Sequence, residues 1–214
     1  MKKLIISTLA VLALTVTANA TDLPNKKKAP EAAKPVLVEK EKAASVDSLS
    51  VSYGNDMAVN FGAKSSDTYS LTYKRSLGGG FSVSGVASTS QAANALLKQN
   101  LEGQVNYSVP LFAGLSVNGG VGVGERFTTT NFPYYALYAG TSYKVMDGLS
   151  VTPISYRYRN AFDTANAYES HRLGTGVTYD ITSAYSVGVS VTRSYDNTWN
   201  ATGDAISGSF TVKF

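Results

Sequence analysis

The 214-residue chain has no cysteine, so disulfides contribute nothing to its stability. It has one histidine, His171, and one tryptophan, Trp199. Beyond the first twenty residues no stretch is apolar enough to cross a bilayer as a helix, which needs roughly 20 apolar residues. A strong charge imbalance is also missing from the part that folds. The formal net charge is +4, but residues 1–46 hold 8 Lys/Arg and 4 Asp/Glu. Residues 47–214 hold 11 of each, so the high pI is no sign of nucleic-acid binding. Metal, cofactor and nucleotide chemistry find no supporting motif. Gly119, Gly120, Gly122 and Gly124 alternate with Val117, Val121 and Val123 in a strand pattern. No helix follows them, so they are not a phosphate loop.

The first residues carry a different signal. Met1–Ala20 has Lys2 and Lys3, an apolar run from Leu4 to Val16, and Ala18-Asn19-Ala20 at its end. That is the layout of a secretory signal peptide, with cleavage expected after Ala20. Residues 21–46 follow with Lys26-Lys27-Lys28, three prolines, alternating Glu and Lys, and no aromatic residue. This segment cannot bury a core and reads as a flexible periplasmic linker. Its lysines make contact with an anionic polymer a sharper alternative.

From residue 47 onward one phrase recurs five times. Leu49-Ser50-Val51, Phe81-Ser82-Val83, Leu115-Ser116-Val117, Leu149-Ser150-Val151 and Tyr185-Ser186-Val187 start 32, 34, 34 and 36 residues apart. Such a period marks a repeated supersecondary unit, and the apolar–polar–apolar alternation makes that unit a β-hairpin. Five hairpins predict ten strands over 47–214. Short connections (76–80, 110–114, 146–148, 180–184) alternate with longer polar ones (54–67, 88–100, 125–133, 160–167, 194–204). Short turns on one side and loops on the other are the layout of a transmembrane barrel.

The two strand faces differ sharply. Leu49, Val51 and Tyr53 oppose Ser48, Ser50 and Ser52; Leu101, Val105 and Tyr107 oppose Glu102, Gln104 and Asn106. Small polar side chains would not pack a core, but they suit a wet lumen with the apolar face toward lipid. Tyr73, Phe81, Tyr107, Tyr143, Tyr179, Tyr185 and Phe214 fall beside the short turns. Tyr53, Tyr69, Tyr135, Tyr156 and Tyr158 fall at the opposite strand ends. These are the two aromatic belts of a bilayer-spanning sheet. The fold class is therefore an all-β, ten-stranded antiparallel up-and-down transmembrane barrel.

One strand breaks phase. Simple alternation from Leu149 and Val151 would turn Arg157 and Arg159 toward lipid, at roughly 2–4 kcal/mol each at mid-bilayer. Pro153 lies between, and a bulge there would return both arginines to the lumen.

With these features the chain resembles the small outer-membrane β-barrel proteins of Gram-negative bacteria, the grouping of porin-like, opacity-type and OmpA-like barrels. The C-terminal Ser209-Phe210-Thr211-Val212-Lys213-Phe214 resembles the signal read by their assembly machinery, with Phe214 as its last residue. The resemblance implies a bacterial outer-membrane location, with lipid and lipopolysaccharide as surroundings. The expected lumenal charges are Lys74, Glu102, Lys144, Arg157, Arg159, Arg172 and Lys213. Arg157, Arg159 and Arg172 near one mouth, with Glu102 as the clearest acid, make a positive constriction that favours anions. The functional expectation is a narrow porin-like passive channel for small, anion-leaning solutes, with Arg157, Arg159, Arg172, Glu102 and Lys74 lining it. The alternative is a non-conducting structural or adhesin-type surface protein binding through its extracellular loops. In that case the arginines pair with acids into a plug. Arg126 and Arg193 are candidate clamps for lipopolysaccharide phosphates.

Enzymatic activity is not expected. Outer-membrane lipid A deacylases and palmitoyltransferases use a His with a nearby Ser at the outer rim. Here Ser170 directly precedes His171, so on a strand the two point to opposite faces. Gly120, Gly122 and Gly124 are expected to face the lumen with Tyr134 and Tyr138 lying over them.

Overall fold

The computed structural model describes residues 46–93, 95–166 and 168–214. The signal-peptide and linker expectations fall on residues 1–45, outside those described. The strands are β1 (Asp47–Met57), β2 (Lys64–Gly78), β3 (Phe81–Ala92), β4 (Lys98–Phe112), β5 (Leu115–Phe127), β6 (Phe132–Met146), β7 (Leu149–Ala161), β8 (Ser170–Asp180), β9 (Tyr185–Asp196) and β10 (Ala201–Lys213). Each pairs antiparallel with the next, and β1 pairs with β10, so the sheet closes into a ten-stranded barrel. Closure leaves no strand edge with unpaired backbone groups, which a bilayer requires.

The tight turns lie at one end, the turn end. Gly78, Gly79 and Gly80 all have positive φ (81°, 60° and 86°), a conformation that glycine adopts without a Cβ penalty. Gly148, at 79°, does the same between β6 and β7. The opposite, loop end differs from the sequence-based expectation. The strands run on into four of the expected loops, and those connections shrink to 58–63, 93–97, 128–131 and 197–200, while the β7–β8 connection keeps its length and shifts to 162–169. Polar residues on both faces hid these extensions, because alternation is legible only where one face is apolar.

The outward face is apolar and open. Leu71, Val121 and Val189 are 47%, 56% and 59% exposed. Such a belt is too large for a protein surrounded by water and is what lipid covers. Both expected aromatic belts flank it, with Tyr53 tilted against Tyr69 at the loop end (5.1 Å) and Phe81 against Tyr107 at the turn end (4.4 Å).

The expected bulge is present in β7. Gly140 pairs with Ser155 and Tyr143 with Val151, so β7 spends one more residue than β6 over this stretch. Against β8, Thr152 pairs with Gly176 and Ser155 with Gly174, again one extra residue in β7. Pro153, which has no N–H to donate, and Ile154 sit in the gap, and both are exposed on the outside. Ser155, Arg157 and Arg159 consequently face the lumen.

Register fixes the tilt. A sideways path from Ser50, near the turn end of β1, runs through Thr72, Val86, Glu102, Gly124 and Tyr134 to Ala161 at the loop end of β7. Continued round the circuit, the stagger is about 12 residues, which implies a tilt of about 40° and about 20 Å between opposite backbones.

Candidate functional site

The lumen is filled on one side and open on the other. On the filled side β5 supplies a floor of glycines. A Cβ on Gly124 would lie 2.7 Å from the Tyr134 ring carbon and hydroxyl, and one on Gly122 would lie 2.7 Å from Glu102 Oε1. Glycine here makes room for larger neighbours, as the sequence pattern suggested. Tyr134 is fully buried, and Ala136 lies two residues on along the same inner face.

Glu102 is the hub of this wall. It is 2% exposed. Its Oε2 accepts from the Tyr134 hydroxyl at 2.8 Å and from Arg159 Nη2 at 2.6 Å. Its Oε1 accepts from Gln104 Nε2 at 2.8 Å and from the Tyr138 hydroxyl. Four donors around one carboxylate repay much of the cost of burying it. Arg159 also lies over the Tyr134 ring, with Cζ 4.8 Å from the centroid. The wall continues upward through residues that sequence reasoning did not assign to the lumen. Tyr168, from the β7–β8 connection, accepts from Arg126 Nη1 at 2.6 Å and makes edge contacts with Phe132 and Tyr134. Arg126 was legible in principle, since it lies two residues beyond Gly124 on the same face. Tyr168 had no periodic signal to place it.

The open side keeps its charges unpaired. Arg157 and Arg172 are direct cross-strand partners. Neither ion-pairs with a carboxylate among the described residues. Arg157 Nε is buried without a hydrogen-bond partner, and Arg172 Nε donates to Ser194 Oγ at 3.1 Å. Asp56 lines the same space, but it accepts from Ser66 and Thr68 at 2.8 and 2.6 Å. Of the five residues expected to line a pore, Arg159 and Glu102 thus form one ion pair in the wall. Arg157 and Arg172 border the space beside it. Lys74 lies near the turn end, beside Ser48, whose other neighbour is Lys213. Lys213 itself reaches Asp180 at 2.7 Å, and Lys144 pairs with Asp147 at the rim.

Four cavities, each sharing lining residues with the next, follow one another from the loop end to the turn end. A vestibule of about 450 Å³ at the loop end is bordered by Arg157, Arg172, Lys98 and Asp56. It shares Arg172 with a cavity of about 360 Å³ lined by serines, threonines and glycines of β8–β10. That cavity shares Thr152 and Ser155 with a third, of about 350 Å³. The third shares Lys74, Ser82 and Ser108 with a mouth of about 370 Å³ at the turn end.

Other singled-out residues are engaged elsewhere. His171 is 8% exposed, with Nδ1 2.8 Å from the Tyr156 hydroxyl and its ring stacked 4.3 Å from Trp199. Its surroundings are aromatic: Tyr158 is a further neighbour at 5.2 Å. Arg193 holds Asp204 with two hydrogen bonds, at 2.6 and 2.9 Å, and Asp204 also accepts from the Phe61 backbone at 3.0 Å. Both suggested phosphate clamps, Arg126 and Arg193, are therefore occupied by internal partners.

No protein-family model matches the sequence, and no curated protein matches it. Solved structures do. One similar structure is a KdgM porin in complex with disordered oligogalacturonate, at 13% identity, covering 78% of this chain and 99% of that one, TM-score 0.52. Another is the NanC porin, at 16% identity, covering 78% and 100%, TM-score 0.51. A third is the COG4313 outer membrane channel from Pseudomonas putida F1, at 8% identity, covering 79% and 95%, TM-score 0.53. At these identities the likeness is one of fold. With the apolar outer belt, it makes the chain an outer-membrane β-barrel by architecture.

Proposed function

We propose that the chain is a narrow passive channel of the bacterial outer membrane that favours small anions. The carrying observation is the run of adjoining cavities from the loop-end vestibule to the turn-end mouth, with Arg157, Arg172 and Lys74 along it. The buried acid Glu102 is neutralised in the wall by Arg159. Along this path, among the described residues, Arg157, Arg172, Lys98 and Lys74 outnumber the one unpaired carboxylate, Asp56, and a net positive path favours anions. The fold supports this reading, since porins and an outer-membrane channel share it. The turn end then faces the periplasm and the loops face outward, as in barrels of this kind. Lipopolysaccharide as a neighbour and recognition of Phe214 by the assembly machinery belong to the same proposal. The short loop-end connections give little support to an adhesin.

The test is single-channel recording of the purified barrel in a planar bilayer under a KCl gradient. Discrete steps with a reversal potential on the chloride side are expected. Arg157→Ala and Arg172→Ala should each move that potential toward zero. Absence of steps in every preparation would remove the channel reading.

A further inference from the structure

Tyr168 is placed unlike the rest of the lumenal wall. It belongs to the connection between β7 and β8 and not to a strand, yet its ring is held inside the barrel mouth. Arg126 Nη1 donates to its hydroxyl at 2.6 Å and Arg159 Nη1 at 3.4 Å. The Arg126 guanidinium also sits 4.6 Å from the ring centroid. Phe132 and Tyr134 meet the ring edge-on at 5.1 and 5.5 Å. Hydrogen bonds, cation–π contact and edge packing from three strands fix the ring in one position. That position borders the vestibule that Arg157 and Arg172 also line.

We infer that Tyr168 sets the size limit and the oxyanion affinity of the loop-end vestibule, through two separable actions. Its ring takes up cross-section on the filled side of the vestibule and limits solute size. Its hydroxyl ties down Arg126, which has no carboxylate partner among the described residues, and keeps that guanidinium from binding passing oxyanions. This inference rests on the channel reading above.

Two variants separate the actions, and neither alters a strand residue. Tyr168→Ala removes ring and hydroxyl. Its conductance in KCl should rise about two-fold, and the size of polyethylene glycol excluded from the pore should increase. Tyr168→Phe keeps the ring and frees Arg126. Its KCl conductance should match the parent, while inorganic phosphate should block it at about ten-fold lower concentration, the low end of what one hydrogen bond to a charged group contributes.

The outcomes distinguish the two claims. If the parent conducts and Tyr168→Ala has the same conductance and exclusion size, the inference falls and the channel stands. If neither parent nor variant conducts, the channel falls and the inference with it. If only the variant conducts, the open-channel reading falls, and Tyr168 is the stopper. If Tyr168→Ala does not assemble, Tyr168→Phe decides: unchanged phosphate block overturns the inference.

Discussion

Replacing Glu102 with Gln tests the lumenal wall where it is most constrained. The substitution keeps shape and removes charge. Around the carboxylate, Arg159 and Tyr134 donate to one oxygen, and Gln104 and Tyr138 donate to the other. A glutamine amide has one acceptor oxygen and one donor nitrogen. Whichever way it is turned, its NH₂ faces either Arg159 and Tyr134 or Gln104 and Tyr138. The tyrosine hydroxyls can rotate to accept, but the Arg159 guanidinium cannot, so the amide oxygen should turn toward Arg159. Arg159, whose side chain is only 11% exposed, then loses its counter-charge. Breaking a buried pair by removing one partner costs about 3–5 kcal/mol, and water in the lumen lowers this toward about 3 kcal/mol. Equilibrium urea unfolding of the barrel in micelles, followed by Trp199 fluorescence, measures the loss. Glu102→Gln with Arg159→Gln should recover part of it, with a coupling energy above about 1 kcal/mol in the double-mutant cycle. A loss below about 0.5 kcal/mol with no coupling would refute the buried pair as a structural element.

Deleting Ile154 should remove the extra residue of the β7 bulge, and plain alternation from Val151 then still places Arg157 and Arg159 in the lumen. The heat-modifiable folded band on SDS gels should therefore persist; its loss, as expected if the deletion instead turned the arginines to lipid at roughly 2–4 kcal/mol each near mid-bilayer, would refute the bulge assignment. Gly124→Ala drives a methyl into Tyr134 and the Leu101 carbonyl and should cost about 1–3 kcal/mol in the same urea experiment. Gly85→Ala, whose new Cβ meets nothing within 4 Å, should be neutral or stabilising by about 0.5–1 kcal/mol. Trp199 lies over His171 on the outer rim, so lipids brominated near the headgroup should quench its emission more than lipids brominated near the chain end.

Much of this fold was legible because a bilayer imposes a binary code. Strand number, facing and both aromatic belts follow from alternation between residues such as Val51 and Ser52. The Pro153 bulge was legible through its alternative, two arginines in lipid. The code fails where lipid ends: in 88–92 and 194–196 both faces are polar, and strands there looked like loops. It fails differently inside the lumen. Glu102 and Arg159 lie on β4 and β7, and their meeting depends on stagger and curvature that no single strand encodes. Arg126 sat on a readable face, but the question of its partner led to Tyr168, whose position is set only by tertiary contacts.

The seam between β1 and β10 carries a consequence for how the barrel forms. Every other strand pair is joined by a turn or short connection, whereas Ser50 and Thr211, hydrogen-bonded across the seam at 2.9 Å, are 161 residues apart. Tyr53 and Asp67, which meet across a hairpin, are only 14 apart. By loop-closure entropy the seam costs only about 2 kcal/mol more than such a hairpin, a small thermodynamic difference. Its kinetic weight is larger, because the two flanks must wait until nine hairpin pairings have curled the sheet far enough to bring Asp47 to Phe214, where their backbones exchange hydrogen bonds at 3.0 and 2.9 Å. Until then both flanks are bare strand edges. The ring is therefore expected to close last, so weakening the Ser50–Thr211 contact should slow assembly more than it destabilises the finished barrel.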